Sequence, residues 1–276
     1  MTNELRFTKM VASGNDFIVI DNRSAENPTM KDSLPSVAKR LCERRLSAGA
    51  DGMLVIEDSR NADLKMRIFN PDGSEVDMCG NGSRCAALYA LENGIAPKQM
   101  KIETGAGIID AEVTGLKVKL KLTDPKAVKL NRKIRVGKRS YTVHTINTGV
   151  PHVVVFVKDI EKVDVAGLGS KLRYHRLFKP RGSNADFVKV ESLKEINVRT
   201  YERGVEAETY ACGTGSVASA IIANLVFGLK PHIDVITKSG ETLRVYFAAG
   251  KNKVKDVFLE GEARVVFQGK VKLAAI

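Results

Sequence analysis

Two cysteines stand in the same local setting at distant points of this 276-residue chain. Cys79 opens the turn Cys-Gly-Asn-Gly, and Cys212 opens the turn Cys-Gly-Thr-Gly, 133 positions later. A helix-forming segment follows each turn, so each thiol is expected at a helix N-terminus. The unpaired N–H groups and positive partial charge of a helix N-terminus lower the pKa of a thiol and bind anionic groups. The pattern therefore predicts two reactive thiols beside two anion-binding turns.

Two such thiols on opposite faces of one bound molecule suit racemisation or epimerisation. One thiol removes a proton from a carbon while the other returns a proton to the opposite face, so one must be ionised and the other protonated. The α-proton of an amino acid is weakly acidic, so donors must stabilise the carboxylate as it becomes enediolate-like, with water excluded. The two glycine turns would supply those donors, and no cofactor is expected.

An internal duplication connects the two cysteine segments. MCGNGSRCAALYALENG at 78–94 aligns with ACGTGSVASAIIANLVFG at 211–228, and SGNDFIVID at 13–21 aligns with TGVPHVVVF at 148–156. A repeat of this extent predicts two similar domains. If the two copies pack with pseudo-two-fold symmetry, both thiols would face one cleft, because ligand sites commonly form between domains.

The elements that must position these residues are mostly strands. Short β-rich runs recur along both halves, and helical patterns cover 81–93 and 214–227, each followed by a glycine. A third helix is expected near 35–47, with Leu41 and Leu46 on its apolar side. The predicted fold class is mixed α/β (α+β), with two pseudosymmetric domains, each a barrel-like set of strands around a central helix.

Composition excludes several classes of protein. The chain is 43% hydrophobic and 28% charged, and it has no apolar stretch long enough to cross a membrane and no secretory signal, which predicts a cytoplasmic protein. Four cysteines without a CxxC pair predict neither a disulfide scaffold nor a structural metal site. The net charge of +12 comes largely from residues 117–139. We expect that segment to be a solvated face or linker, with nucleic-acid binding a remote alternative.

Five motifs give the chain its resemblance to a known family. They are KMVASGNDF at 9–17, FNPDGSEVDMCGNGSRCA at 69–86, NTGVPHVVVFV at 147–157, RGSNADFV at 181–188 and ERGVEAETYACGTG at 202–215. In this order they resemble the diaminopimelate epimerases. The resemblance implies pyridoxal-independent interconversion of LL- and meso-diaminopimelate, on the route to lysine and peptidoglycan, by a homodimer. It also implies that the C-terminal strand crosses back to the first domain, giving predicted domains of 1–124 with 264–276, and 125–263.

The same resemblance implies roles for individual residues. The two thiol acid/bases would be Cys79 and Cys212. Substrate-binding positions would be Asn15, Asn70, Gly80, Asn81, Asn184, Glu202, Arg203, Gly213 and Thr214. His152 and Glu202 would support acid/base chemistry beside the reacting centre, and Arg203 would hold the distal carboxylate through its planar fork. Taken singly, several of these residues have structural explanations: His152 as a strand cap, Glu202 and Arg203 as a surface ion pair, and Asn15 and Asn70 as turn formers.

Two departures from the family pattern leave the substrate open. Val150 stands in Gly-Val-Pro-His where Gly-Asn-Pro-His is frequent, and Gly52 stands where some members have glutamine. A racemase of another amino acid, such as histidine, or a relative of the proline racemases is therefore an alternative. The thiols could also form a disulfide on oxidation if closure without ligand brought them within reach.

Overall fold

The computed structural model describes residues 4–23, 34–250 and 253–272. Its strands are β1 (Glu4–Ala12), β2 (Asn15–Asp21), β3 (Gly52–Glu57), β4 (Leu64–Phe69), β5 (Glu75–Val76), β6 (Gln99–Thr104), β7 (Gly107–Thr114), β8 (Lys117–Lys121), β9 (Lys126–Val136), β10 (Arg139–Asn147), β11 (Pro151–Phe156), β12 (Asn184–Val190), β13 (Glu195–Glu202), β14 (Ala207–Thr209), β15 (Ile233–Ile236), β16 (Thr242–Ala249), β17 (Val254–Glu262) and β18 (Arg264–Lys272). Its α-helices are α1 (Leu34–Leu41), α2 (Gly80–Glu92), α3 (Val165–Arg173) and α4 (Gly213–Phe227). A short 3₁₀ turn covers Arg176–Phe178.

The chain divides into two compact units. Unit 1 contains Met1–Leu120 together with Gly261–Ile276, and unit 2 contains Lys121–Glu260. These divisions fall a few residues before the domain boundaries predicted at 124 and 263. In unit 1, β18 pairs antiparallel with β1, so the end of the chain completes the sheet that its beginning starts.

The two units repeat one strand topology. In unit 1, β1 and β2 are antiparallel, β2 and β3 are parallel, and β3 and β4 are antiparallel. In unit 2, β10, β11, β12 and β13 follow the same sequence of antiparallel, parallel and antiparallel pairs. A helix precedes the third strand of each set, α1 in unit 1 and α3 in unit 2. The duplication and the mixed α/β fold class predicted from the sequence are confirmed.

Each unit buries the helix that follows its glycine turn. In α2, every residue from Asn81 to Ala90 is buried, and in α4 every residue from Gly215 to Ala223 is buried. The helices predicted at 81–93 and 214–227 agree with the bounds of α2 and α4 to within one residue at each end. Gly228 ends α4 with a φ of 73°, a left-handed conformation that glycine adopts without steric cost.

Two element predictions need correction. The helix expected over 35–47 ends at Leu41, and the side chain of Leu46 is 87% exposed instead of lying on an apolar face. Helix α3 was not predicted, because Gly167 and Gly169 interrupt its apolar pattern, although Asp164 caps its N-terminus by accepting a hydrogen bond from the Gly167 N–H at 2.8 Å. The basic segment 117–139 forms β8, β9 and the turn into β10, and most of its side chains are exposed.

Candidate active site

Cys79 lies at the N-cap of α2. Its backbone is extended, with φ −142° and ψ 121°, and helical bonding begins where the Ser83 N–H donates to the Cys79 carbonyl at 2.8 Å. The Ser83 hydroxyl donates to the same carbonyl at 2.9 Å. The N–H groups of Gly80, Asn81 and Gly82 therefore have no acceptor within the helix and are available to an anion. The half-buried thiol of Cys79 stands beside them.

A hydrogen-bond chain places two predicted substrate-binding residues beside this turn. The Asn81 side-chain amide donates to the Asn15 carbonyl oxygen, and the Asn15 amide donates to Asp51 Oδ2 at 3.1 Å. The guanidinium of Arg84, which is fully buried, donates to Asn81 Oδ1 and to Ser13 Oγ at 2.9 Å. Arg84 thus links the first turn of α2 to the β1–β2 turn that carries Asn15.

Charged groups hold the loop formed by the β1–β2 turn and the first residues of β2, numbers 13–16. The ammonium of Lys9 lies 2.7 Å from Asp16 Oδ2, and Arg44 bonds both Asp16 and Asp51. Burial alone would raise the pKa of Asp16, but hydrogen bonds and charge from Arg44 and Lys9 outweigh it and lower that pKa to about 2. The carboxylate stays ionised at neutral pH, so the loop is held by charge-assisted bonds.

Asn70 lies in the tight turn between β4 and β5. Its backbone N–H donates to the Ser74 carbonyl at 2.8 Å, and its side-chain amide donates to Ser74 Oγ at 2.9 Å. The flanking strands are joined by a bidentate ion pair of Arg67 with Glu75, at 2.8 Å for both contacts. Unit 2 has the equivalent pair, Arg199 with Glu208, so both copies secure the strand pair that leads to the cysteine in the same way.

Cys212 occupies the equivalent N-cap of α4 in unit 2. Its φ is −121° and its ψ is 110°, and its carbonyl accepts from the Ser216 N–H at 2.9 Å and from the Ser216 hydroxyl at 3.0 Å. The Thr148 hydroxyl donates to the Thr214 carbonyl at 3.0 Å, which fixes the turn. Gly213 and Thr214 thus correspond to Gly80 and Asn81 of unit 1.

Burial of Cys212 opposes the lowering of the thiol pKa that is expected from the sequence at a helix N-terminus. Burial raises the pKa of this thiol well above its ordinary value, and the negative charges of Glu202 and Asp186 raise it further. A hydrogen bond between Cys212 and Thr214 and one from the Gly215 N–H act in the opposite direction but do not prevail. Burial also raises the pKa of Glu202, against the smaller effect of a bond from Thr209. Cys212 is therefore a protonated thiol at neutral pH, the form a proton donor needs.

His152 is buried beside the same turn. Its Nδ1 lies 2.7 Å from Asp186 Oδ2, and its Nε2 lies 3.0 Å from Thr214 Oγ1 and 3.3 Å from Asn184 Nδ2. Thr214 Oγ1 is in turn 3.5 Å from Cys212 Sγ. A continuous polar chain thus runs from the thiol to Asp186.

Arg203 begins the turn between β13 and β14. Its backbone N–H donates to Asn184 Oδ1 at 2.7 Å. Glu206 closes the turn by accepting bonds from the Gly204 N–H and from Arg173. Within the residues that the structure describes, the Arg203 guanidinium has no hydrogen bond or ion pair, so its fork is available for a carboxylate.

Sequence reasoning did not select three residues that these contacts bring to the sites. They are the buried polar side chains of Arg84, which bonds Asn81, of Asp186, which bonds His152, and of Thr200, which bonds Asp186. The available signal was a charged residue inside an otherwise apolar segment, as with Asp186 in Ala-Asp-Phe-Val. No group of three His, Cys, Asp or Glu side chains among the described residues is arranged to hold a metal ion.

Comparison with known proteins identifies the family. The family model described as Diaminopimelate epimerase matches residues 7–128, most of which lie in unit 1, and residues 144–266, most of which lie in unit 2. The chain is 44% identical over 277 residues to the diaminopimelate epimerase of Aquifex aeolicus (strain VF5), covering 97% of this chain and 98% of that protein. The chain belongs to the diaminopimelate epimerase family. The enzyme of Methanocella arvoryzae is 43% identical, with 97% of each chain covered.

Solved structures of low sequence identity share the fold of this diaminopimelate epimerase family member. A Bacillus anthracis phenazine biosynthesis protein of the PhzF family aligns with a TM-score of 0.74 at 18% identity, covering 97% of this chain and 99% of that chain. A probable proline racemase from Agrobacterium radiobacter K84 aligns with a TM-score of 0.68 at 17% identity, covering 98% and 93%. The family resemblance and the isomerase class expected from sequence are confirmed. No helix among the described residues is long and apolar enough to cross a membrane.

Proposed function

We propose that this protein interconverts LL- and meso-diaminopimelate by proton transfer between the substrate α-carbon and two thiols, Cys79 and Cys212. The observation that carries the proposal is the repeated placement of a cysteine at the N-cap of a buried helix, with a serine bonded back to its carbonyl in both copies. Each copy thereby presents a thiol and a set of helix N–H donors together. That combination suits proton transfer at a carbon adjacent to a carboxylate.

The thiols begin in different environments. Cys212 is protonated in the free protein, because burial and neighbouring carboxylates raise its pKa. The carboxylate of Glu202 accepts a hydrogen bond from the Cys212 thiol. Cys212 thus acts first as the proton donor, and Cys79 removes the substrate proton. After this turnover Cys79 is the thiol and Cys212 is the thiolate. In the opposite direction Cys212 removes the proton and Cys79 donates one, which restores the starting state.

The helix turns and Arg203 account for the two carboxylates of the substrate. The N–H groups of Gly80, Asn81, Gly213 and Thr214 stabilise negative charge that grows on the reacting carboxylate. Arg203 bonds the distal carboxylate, supported by Asn184 on its backbone N–H. Asn15 and Asn70 offer amides to the polar groups of the substrate. Homodimer formation and a cytoplasmic location stay predictions from sequence.

NMR of the reduced protein with LL-diaminopimelate in deuterated water tests the reaction. We expect the meso isomer to form with deuterium at the inverted α-carbon. Histidine and proline, offered separately under the same conditions, test the alternative substrates. Exchange on a mono-amino acid at a rate equal to that on diaminopimelate, or no exchange on diaminopimelate, would contradict the proposed substrate and point to the substitutions at Val150 and Gly52.

A further inference from the structure

The two units differ sharply at one set of equivalent positions beneath the cysteine turns. In unit 1, the parallel pair β2–β3 aligns Phe17 with Gly52, and Leu54 lies opposite Ile68 on β4. In unit 2, the same pairs align His152 with Asn184 and place Asp186 opposite Thr200. Phe17, Leu54 and Ile68 of unit 1 therefore correspond to His152, Asp186 and Thr200 of unit 2.

The surroundings of two equivalent glycines support this correspondence. A Cβ built on Gly82 would meet Leu54, Ile68 and Cys79 at 3.0, 3.6 and 3.7 Å. A Cβ built on Gly215 would meet Asp186, Thr200 and Cys212 at 2.5, 3.2 and 3.3 Å. Beside the cysteine, two equivalent positions thus contact the helix turn in each unit, and they carry the apolar side chains of Leu54 and Ile68 in unit 1 and the polar side chains of Asp186 and Thr200 in unit 2.

The polar set of unit 2 is fully buried. The side chains of His152 and Asp186 are both 0% exposed, and the Thr200 hydroxyl donates to Asp186 Oδ1 at 2.8 Å. Buried polar networks gain little stability over well-packed apolar groups of similar volume. Because unit 1 forms the same fold with an apolar set, folding does not account for the polar one.

Hydrogen-bond directions fix the tautomer of His152. The Arg203 backbone N–H can only donate, so the atom of Asn184 that it meets at 2.7 Å is the carbonyl oxygen, and the opposite atom is the amide nitrogen. That amide donates to His152 Nε2, so Nε2 is the acceptor and Nδ1 carries the proton. The Nδ1–H bond then points at Asp186, whose other oxygen is held by Thr200.

We infer that Asp186 and Thr200 are positioning residues that hold His152 as its Nδ1–H tautomer, so that Nε2 is an acceptor shared by the Asn184 amide and the Thr214 hydroxyl beside the Cys212 turn. This inference rests on the proposed function and assigns unit 2 a proton-relay support that unit 1 lacks. The ordered path is the thiol of Cys212, the hydroxyl of Thr214 and Nε2 of His152, with 3.5 and 3.0 Å between successive heavy atoms.

The first test is Asp186→Asn in protein with ¹⁵N-labelled histidine. In the unaltered protein the ¹⁵N spectrum should show His152 protonated at Nδ1 only, and in the variant a mixture of tautomers, because an asparagine can donate as well as accept. We expect kcat of the variant to fall about 10²- to 10⁴-fold, which is the range for loss of a positioned acid/base group. Its KM should stay within about threefold of the value for the unaltered protein. Asp234→Asn, which removes a carboxylate paired with Arg244 elsewhere in unit 2, is the control and should keep full activity.

An unchanged tautomer, or an unchanged kcat with the tautomer lost, would overturn the inference. The tautomer measurement needs no turnover, so it stands apart from any failure of the substrate assignment. If Asp186→Asn does not fold, Thr200→Val removes the supporting hydroxyl at nearly constant volume. We expect it to lower kcat about tenfold, near the value of one lost hydrogen bond, and unchanged kcat and tautomer would overturn the role of Thr200.

A second test transplants the unit 1 set into unit 2. The triple variant His152→Phe, Asp186→Leu, Thr200→Ile should fold with a circular dichroism spectrum like that of the unaltered protein, because unit 1 accommodates these side chains at the same positions. It should have no measurable epimerase activity. Failure to fold would show that the polar set is a structural requirement and would contradict the inference.

Discussion

At Cys212, burial and the helix N-terminus act on the thiol in opposite directions. A helix N-terminus favours the thiolate, whereas removal from water and two nearby carboxylates favour the thiol, and the second group of effects prevails. Only the effect of the helix N-terminus could be inferred from the sequence, because strand register sets the placement of Glu202 and Asp186 beside Cys212. The thiol therefore begins as an acid.

Glu202→Gln should make Cys212 easier to ionise. Removing the carboxylate charge lowers the pKa of the thiol, since that charge is the second largest cause of its rise. At fixed pH below that pKa, we expect alkylation of Cys212 by iodoacetamide to accelerate about tenfold or more, because a like charge within about 6 Å shifts a pKa by one unit or more. Mass spectrometry of the labelled peptide over a pH series measures the profile.

Glu195→Gln, at the exposed start of the same strand, is the matched control for this experiment. Its alkylation profile should follow that of the unaltered protein. A Glu202→Gln profile that coincides with the control, or that moves to higher pH, would contradict the electrostatic account of Cys212.

Residue types pointed to the two proposed thiols but not to the side chains that support them. The two cysteines and glycine turns were evident because the duplication repeats them. Asp186 and Thr200 were not selected, because their counterparts Leu54 and Ile68 are apolar and the repeat gives no sign of a polar function there. Arg84 was missed for another reason: a buried arginine in a helix is apparent only when its partners Ser13 and Asn81 are placed.

At the scale of elements, the first turns of α2 and α4 tolerate different side chains. A methyl group on Gly215 would lie 2.5 Å from Asp186 Oδ1, which Thr200 bonds, while His152 holds the other oxygen of the same carboxylate. On Gly82 a methyl group would meet the flexible end of Leu54 at 3.0 Å. We expect Gly215→Ala to lower the free energy of unfolding by about 1–3 kcal/mol, as overpacking does, and to lower kcat.

Gly82→Ala should lower the free energy of unfolding by less than Gly215→Ala does, because Leu54 can move and alanine favours the helix over glycine by about 0.5–1 kcal/mol. Urea denaturation of both variants measures the difference. An equal loss in the free energy of unfolding for the two variants would show that Asp186 is not held rigidly.

Element boundaries depended on contacts that the sequence does not display. Helices α2 and α4 were predicted well because their apolar residues are continuous and a glycine follows each. The first helix was extended too far, because Leu46 continued the spacing although the chain turns after Leu41, where the Gly49 N–H donates to the Leu41 carbonyl at 2.9 Å. Tertiary contacts, which set that turn, are not expressed in local periodicity.

At the scale of the whole molecule, unit 1 depends on the end of the chain. Strand β18 pairs with β1 from Glu4–Lys272 to Val11–Arg264, and the ring of Phe267 packs edge-on against Phe7. A chain ending after Ala263 should lose this pairing. We expect hydrogen exchange at the amides of β1 to accelerate about tenfold or more, because those groups lose their partner strand.

A chain ending after Lys272 is the control for this truncation, since it retains all of β18. Its β1 amides should exchange as in the full chain. Unchanged protection of β1 in the shorter chain would mean that β18 does not contribute to the stability of unit 1.

The central claim is that both repeated thiols perform the reaction, and deuterium exchange in single-cysteine variants tests it most directly. Cys79→Ala and Cys212→Ala are compared with Cys85→Ala, a control in which alanine already stands at the equivalent position, Ala218. We expect Cys85→Ala to form meso-diaminopimelate with deuterium at the α-carbon, and each of the other variants to lose this conversion by at least about 10²-fold. Conversion at the full rate in either Cys79→Ala or Cys212→Ala would contradict the two-thiol account.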